Sequence, residues 1–142
     1  MTTQTILIID DCENFRLVAS SILLDAGYVV EEASCPHDAF KLIQKEKFDL
    51  ILCDLHMPFI NGEDNNEFQT SYQVGIMTIN ELQGLFPNTP VVALTSTDPI
   101  DLSRIKSALK GITTLSKPSN KQELFEIVEM AQEWAQNAHC MQ

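Results

Sequence analysis

Short apolar, β-branched runs alternate along this chain with segments of helical periodicity, and few folds accept that alternation. The runs are Thr5-Ile6-Leu7-Ile8-Ile9, Tyr28-Val29-Val30, Asp49-Leu50-Ile51-Leu52-Cys53, Val91-Val92-Ala93-Leu94 and Ile112 to Leu115. The first, third and fourth are almost continuously apolar, as strands covered on both faces should be. Between them, Phe15, Val18, Ala19, Ile22 and Leu23 share one helical face, and Leu124, Ile127, Val128, Ala131 and Ala135 share another. Weaker stripes run through Ala39, Leu42 and Ile43, through Ile76, Ile79 and Leu82, and through Leu102, Ile105 and Leu109. Gly27 is placed to end the first helix in a left-handed conformation. Pro36 and Pro99 fit the first turns of helices, with Asp98 as an N-cap. Five strands alternating with five helices predict an α/β fold, a parallel sheet between helices on both faces, because parallel neighbours need helical crossovers.

One segment interrupts the rhythm. From Glu63 to Val74 the chain is polar enough for a loop, an insertion at about 63–74, yet Phe68, Tyr72, Ile76 and Ile79 are spaced for an extended helix. Gly75 would weaken such a helix by about 1 kcal/mol without forbidding it. The rest, with 142 residues and no internal repeat, predicts a single domain over 1–142 without a separate output domain.

Charge narrows the partners. The 20 Asp and Glu against 9 Lys and Arg give a formal net charge of −11 with no basic block, which argues against nucleic acid as a partner and for proteins. No apolar run nears the roughly 20 residues that cross a membrane, and the first residues lack a signal-peptide pattern. The expectation is a cytoplasmic protein without membrane contact. Cys12, Cys35, Cys53 and Cys140 are scattered, which suits reduced, mostly buried thiols rather than a disulfide frame or a zinc site.

In an open parallel sheet, ligands bind beyond the carboxyl ends of the strands. The first run ends in Asp10-Asp11, the third in Asp54 and the fourth in Thr95-Ser96, and Lys117-Pro118 follow the fifth. Three carboxylates, a hydroxyl and an ammonium would then converge. Close carboxylates repel unless a cation sits among them, and a hard divalent ion such as Mg²⁺ suits one or two carboxylates plus a phosphate. One carboxylate could then act as nucleophile toward a phosphoryl group, with Mg²⁺, lysine and threonine offsetting the equatorial charge. Singly, Asp54 could cap a turn, Thr95 could be an ordinary strand residue and Lys117 a surface lysine.

The motifs Ile8-Ile9-Asp10-Asp11, Leu50 through Pro58, Asn61-Gly62, Ala93-Leu94-Thr95-Ser96 and Ser116-Lys117-Pro118 together resemble those of the CheY-like response regulator receiver domain. The resemblance runs from about Thr5 to the last helix. It implies a doubly wound five-stranded parallel sheet in the order 2-1-3-4-5. It implies that Asp54 is the phosphoacceptor, that Asp10 and Asp11 position Mg²⁺, and that the backbone carbonyl of His56 is a further metal ligand. Thr95 would bind a phosphoryl oxygen and Lys117 would pair with the phosphate. A histidine kinase or histidine phosphotransfer protein would be the donor, and a downstream protein the target. The chain would assist its own phosphorylation without being a turnover enzyme.

Three positions depart from that pattern. Thr114 stands where such domains usually carry the Tyr or Phe that swings inward on activation. The stretch from Ala108 to Ile112 is shorter than usual, and Ser119 replaces a common Phe. All three touch the surface that usually reads out the signal, which keeps open a constitutive protein-interaction adaptor with no phosphorylation switch.

Overall fold

A computed structural model describes residues 3–56, 73–95, 109 and 112–140, with side chains beyond Glu133 left aside. Among the described residues five strands form one parallel sheet: β1 (Thr5–Ile9), β2 (Val29–Ala33), β3 (Leu50–Asp54), β4 (Val91–Thr95) and β5 (Thr113–Ser116), ordered β2-β1-β3-β4-β5. The helices among the described residues are α1 (Glu13–Asp25), α2 (Pro36–Ile43), α3 (Gln73–Leu85) and α4 (Lys121–Cys140). No helix of the described residues is long and apolar enough to cross a membrane.

Alternation along each strand sorts the core into two layers. Leu7, Ile9, Ile51, Cys53, Val91 and Ala93 pack with Ala39 of α2 and with Ile79 and Leu82 of α3. Ile6, Ile8, Leu50, Leu52, Val92 and Leu94 pack with Ala19 and Leu23 of α1 and with Leu124, Ile127, Val128 and Ala131 of α4. The sheet is thus covered on both faces, as its apolar inner runs require. The order also fixes where a ligand can enter. The chain leaves β1 toward β2 on one side and β3 continues on the other, so a crevice opens where β1 and β3 end.

Local chemistry explains the boundaries. Helix α1 ends on Gly27 at φ +98°, where the amide of Tyr28 donates to the Leu23 carbonyl (3.1 Å) and that of Gly27 to Leu24 (3.0 Å). This double closure satisfies carbonyls that the helix end leaves open. Pro36 opens α2 at a position whose missing N–H costs nothing.

Several expectations need correcting. β2 begins at Val29, not Tyr28, and runs through Glu31 and Glu32, because an edge strand tolerates charged side chains that an apolar search passes over. β3 and β5 lie one residue later than their apolar runs, and α4 continues to Cys140. Val18 is 59 % exposed although it shares the apolar stripe of α1; it borders a shallow groove against Pro118 and Leu124. Cys12 is exposed, whereas Cys35 and Cys53 are buried as expected. The 63–74 insertion lies outside the described residues except at its end, where Gln73 and Val74 already belong to α3. Of the stripe Leu102, Ile105 and Leu109, only Leu109 is described, and it is buried in the α2–α3 layer.

Candidate functional site

Strand register brings the acidic residues together. β1 and β3 pair Ile9 with Cys53, so the next residues, Asp10 and Asp54, stand side by side at the crevice. Both are buried, at 1 % and 2 % exposure, while Asp11 is exposed. Carboxylate oxygens of Asp10, Asp11 and Asp54 all lie within 4.8 Å of one another. On the far side, β4 and β5 pair Thr95 with Ser116, and the amide of Lys117 donates to the Thr95 carbonyl at 2.9 Å. That bond anchors the lysine just past the ladder. Its ammonium turns back across the sheet end to Asp10 Oδ2 (2.8 Å) and Asp54 Oδ2 (3.7 Å). All five residues of the expected constellation therefore meet at one edge, with Thr95 fully buried.

Backbone amides orient the two buried carboxylates. The amide of Cys12 donates to Asp10 Oδ1 at 2.8 Å, and the amide of His56 to Asp54 Oδ1 at 3.2 Å. Asp10 Oδ2 is buried, with the Lys117 ammonium at 2.8 Å and no second partner among the described residues. A buried carboxylate oxygen so poorly satisfied is costly. Carboxylates of Asp10, Asp11 and Asp54 held this close fit a hard cation such as Mg²⁺, which takes oxygen ligands and retains waters.

Electrostatics bear the strain of crowding. Burial above all, then the Asp10 charge, pushes Asp54 up to about 7, although Lys117 and the His56 amide pull the other way. Burial and the Asp10 charge also raise Asp11. Burial would depress Lys117, but its hydrogen bond to Asp10 and the charge of Asp54 outweigh that and hold it above the ordinary range. Cys53 is pushed well up by burial and by the same carboxylates, which keeps it a packed thiol.

Three contributors escaped the sequence. Phe15 puts its ring 4.9 Å below the Lys117 ammonium, a cation–π contact that favours the inward pose. Arg16 donates to the Asp10 carbonyl at 2.6 Å and pairs with Glu32 at 3.4 Å, tying the end of β1 to β2. An arginine on the first turns after an acidic pair is a signal that could have been used. The third is the His56 imidazole, whose Nε2 lies 3.3 Å from Thr95 Oγ1. Sequence offered only its backbone carbonyl as functional, and residues 39 apart give no hint of such a contact. Burial, then Lys117, lowers the imidazole below its ordinary value. Thr114, at the position of the usual aromatic, is buried in β5 beside Ala93 with its hydroxyl donating to the Ile112 carbonyl at 3.4 Å. Ser119 lies exposed and bonds Glu123, as a polar turn residue would.

Known proteins are similar to this chain in sequence and fold. Residues 6–67 match the family described as the response regulator receiver domain. The transcriptional regulatory protein ZraR of Salmonella typhimurium is 27 % identical over 126 residues, covering 89 % of this chain and 26 % of its own length. The chain thus spans about a quarter of that relative. Sporulation initiation phosphotransferase F of Bacillus subtilis is 23 % identical over 91 % of this chain and 94 % of its own. Among solved structures, the chemotaxis response regulator CheY4 of Vibrio cholerae superposes with a TM-score of 0.73 at 26 % identity, covering 92 % of this chain and 99 % of its own. The Thermotoga maritima response regulator TrrA, solved in complex with Mg²⁺–BeF, superposes at 0.70 with 22 % identity, over 91 % of this chain and 99 % of its own. With this sheet order, the family match over residues 6–67 and the CheY4 superposition support reading the chain as a response regulator receiver domain of the two-component type.

Proposed function

We propose that this receiver domain accepts a phosphoryl group on Asp54 from a histidine kinase or histidine phosphotransfer protein and signals through protein–protein contacts. The observation that carries the reading is Lys117 reaching across the sheet end to both buried carboxylates, Asp10 and Asp54. An ammonium held there can follow negative charge as it shifts from carboxylate to phosphoryl group. In the transfer, an Asp54 oxygen forms a bond to phosphorus while the donor's P–N or P–O bond breaks, its electron pair leaving with the donor. Lys117 and the Thr95 hydroxyl would bind the phosphoryl oxygens, and catalysis is mostly positioning and charge stabilisation.

Asp10, Asp11, Asp54 and the His56 backbone carbonyl would hold Mg²⁺. When bound, the ion supplies neutralisation of the crowded carboxylates and of the incoming phosphoryl charge. The site is built to be modified and reset rather than to turn over a substrate. The response to modification departs from the usual pattern, because buried Thr114 offers no ring to swing inward.

Incubation with acetyl phosphate or phosphoramidate and Mg²⁺ should add one phosphoryl group, detected by intact mass. Asp54→Asn should abolish the addition, and removing Mg²⁺ with a chelator should suppress it by at least about tenfold. Wild-type protein of unchanged mass, or equal labelling of Asp54→Asn, would overturn the reading.

A further inference from the structure

We infer that the His56 imidazole is a positioning residue: it holds the proton of the Thr95 hydroxyl, and must release it before that hydroxyl can donate to a phosphoryl oxygen. This rests on the reading of Asp54 as phosphoacceptor and assigns the same site a built-in competitor.

The geometry leaves both partners little freedom. Thr95 closes β4, paired to Ser116 on one side, and its carbonyl accepts from Lys117 at 2.9 Å. On the other side the Leu94 carbonyl accepts from the amide of Leu55 at 3.0 Å. With its backbone fixed between two strands, Thr95 can respond to a new partner only by turning about χ1. His56 is tethered in turn, its amide on Asp54 Oδ1 at 3.2 Å, which aims the turn after β3 toward β4. Its Nε2 meets Thr95 Oγ1 at 3.3 Å. A threonine hydroxyl has one proton to give. If the imidazole accepts it at Nε2, a phosphoryl oxygen on Asp54 has to compete for the same donor. Phosphorylation then exchanges one partner of Thr95 for another, and the side chain at position 56 sets how readily the exchange occurs.

Two measurements test this. Imidazole ¹⁵N spectra of the unmodified protein should show His56 protonated at Nδ1, with Nε2 accepting, and Thr95→Val should shift the Nε2 resonance. A proton on Nε2, or no response to Thr95→Val, overturns the inference without any phosphorylation being needed. The second is titration with Mg²⁺ and beryllofluoride, a phosphoryl mimic. His56→Ala should bind it about three- to tenfold more tightly, the range one neutral hydrogen bond spans. In a Thr95→Val background, or Thr95→Ala should the valine variant not fold, His56→Ala should change nothing further. An equal gain in both backgrounds would mean that the imidazole acts without Thr95, and would overturn it. Wild-type protein that fails to bind beryllofluoride faults the phosphoacceptor reading instead, and the spectra then decide the hold by themselves.

Discussion

Ion-free protein should lose stability as the pH rises from about 5 to about 8, by roughly 2–3 kcal/mol, and millimolar Mg²⁺ should remove most of that loss. The cause is Asp54, whose carboxyl is raised from 3.8 to about 7 by burial and by the Asp10 charge. A raised carboxylate holds its proton in the folded state at a pH where the unfolded chain has already lost it. The folded state therefore has its full advantage below the unfolded value. The advantage falls away as pH rises toward 7 and is gone above it, the reverse of a salt-bridged aspartate. Asp11, also raised, adds in the same direction, while the lowered His56 opposes it in part. At 2 % exposure Asp54 is shielded from solvent, so little of the effect is screened away. A divalent cation binds the ionised carboxylates, so its stabilisation grows with pH and opposes the loss. Thermal melts in chelator and in Mg²⁺ would measure both slopes. Asp54→Asn should flatten the chelator slope and melt higher than wild type near pH 8. The same slope in Asp54→Asn would show that the charge of −11 spread over the whole chain, rather than this site, governs the pH dependence.

The parts of the site that sequence shows are those tied to strand ends. Asp10, Asp54 and Thr95 can be read because each closes an apolar run, and parallel strands deliver their ends to one edge. Lys117 follows the same logic, one residue past β5. The sheet order came from the resemblance, since five apolar runs alone do not say which strand lies beside which. What sequence could not show are contacts made across the edge by side chains from elsewhere. Phe15 looked like one more apolar residue of the α1 stripe, yet its ring faces Lys117. His56 reaches β4 only because the turn after β3 folds back on it. Periodicity also overstated the burial of Val18, because a stripe is wider than the strip of helix that touches a sheet. β2 was clipped at its charged half for the converse reason: an edge strand needs no apolar residue on every position.

Gly75 and Gly84 lie in the same helix, and replacing each with alanine should move stability in opposite directions. Propensity alone predicts a gain of about 1 kcal/mol for both, since alanine favours a helix interior. At Gly84 nothing lies within 4 Å of where the methyl would stand, so Gly84→Ala should realise about 0.5–1 kcal/mol of that gain. At Gly75 the same methyl would fall on the Leu55 carbonyl oxygen, and 2.7 Å from the Leu55 Cα. Those are backbone atoms that cannot rotate aside, and the Leu55 amide is itself fixed to the Leu94 carbonyl at 3.0 Å. Overpacking of this kind costs about 1–3 kcal/mol or more, which exceeds the propensity gain. Gly75→Ala should therefore lower the melting temperature by roughly 3–8 °C, and Gly84→Ala should raise it by roughly 2–3 °C. The first has a functional consequence as well. Leu55 lies between Asp54 and His56, so relieving the clash displaces the turn whose amide orients the Asp54 carboxylate. Labelling by acetyl phosphate should slow in Gly75→Ala at temperatures where it is still folded, and stay at the wild-type rate in Gly84→Ala. Equal gains in stability at both positions would show that α3 can move away from β3 without cost, and that the close approach at Leu55 does not hold the turn after Asp54.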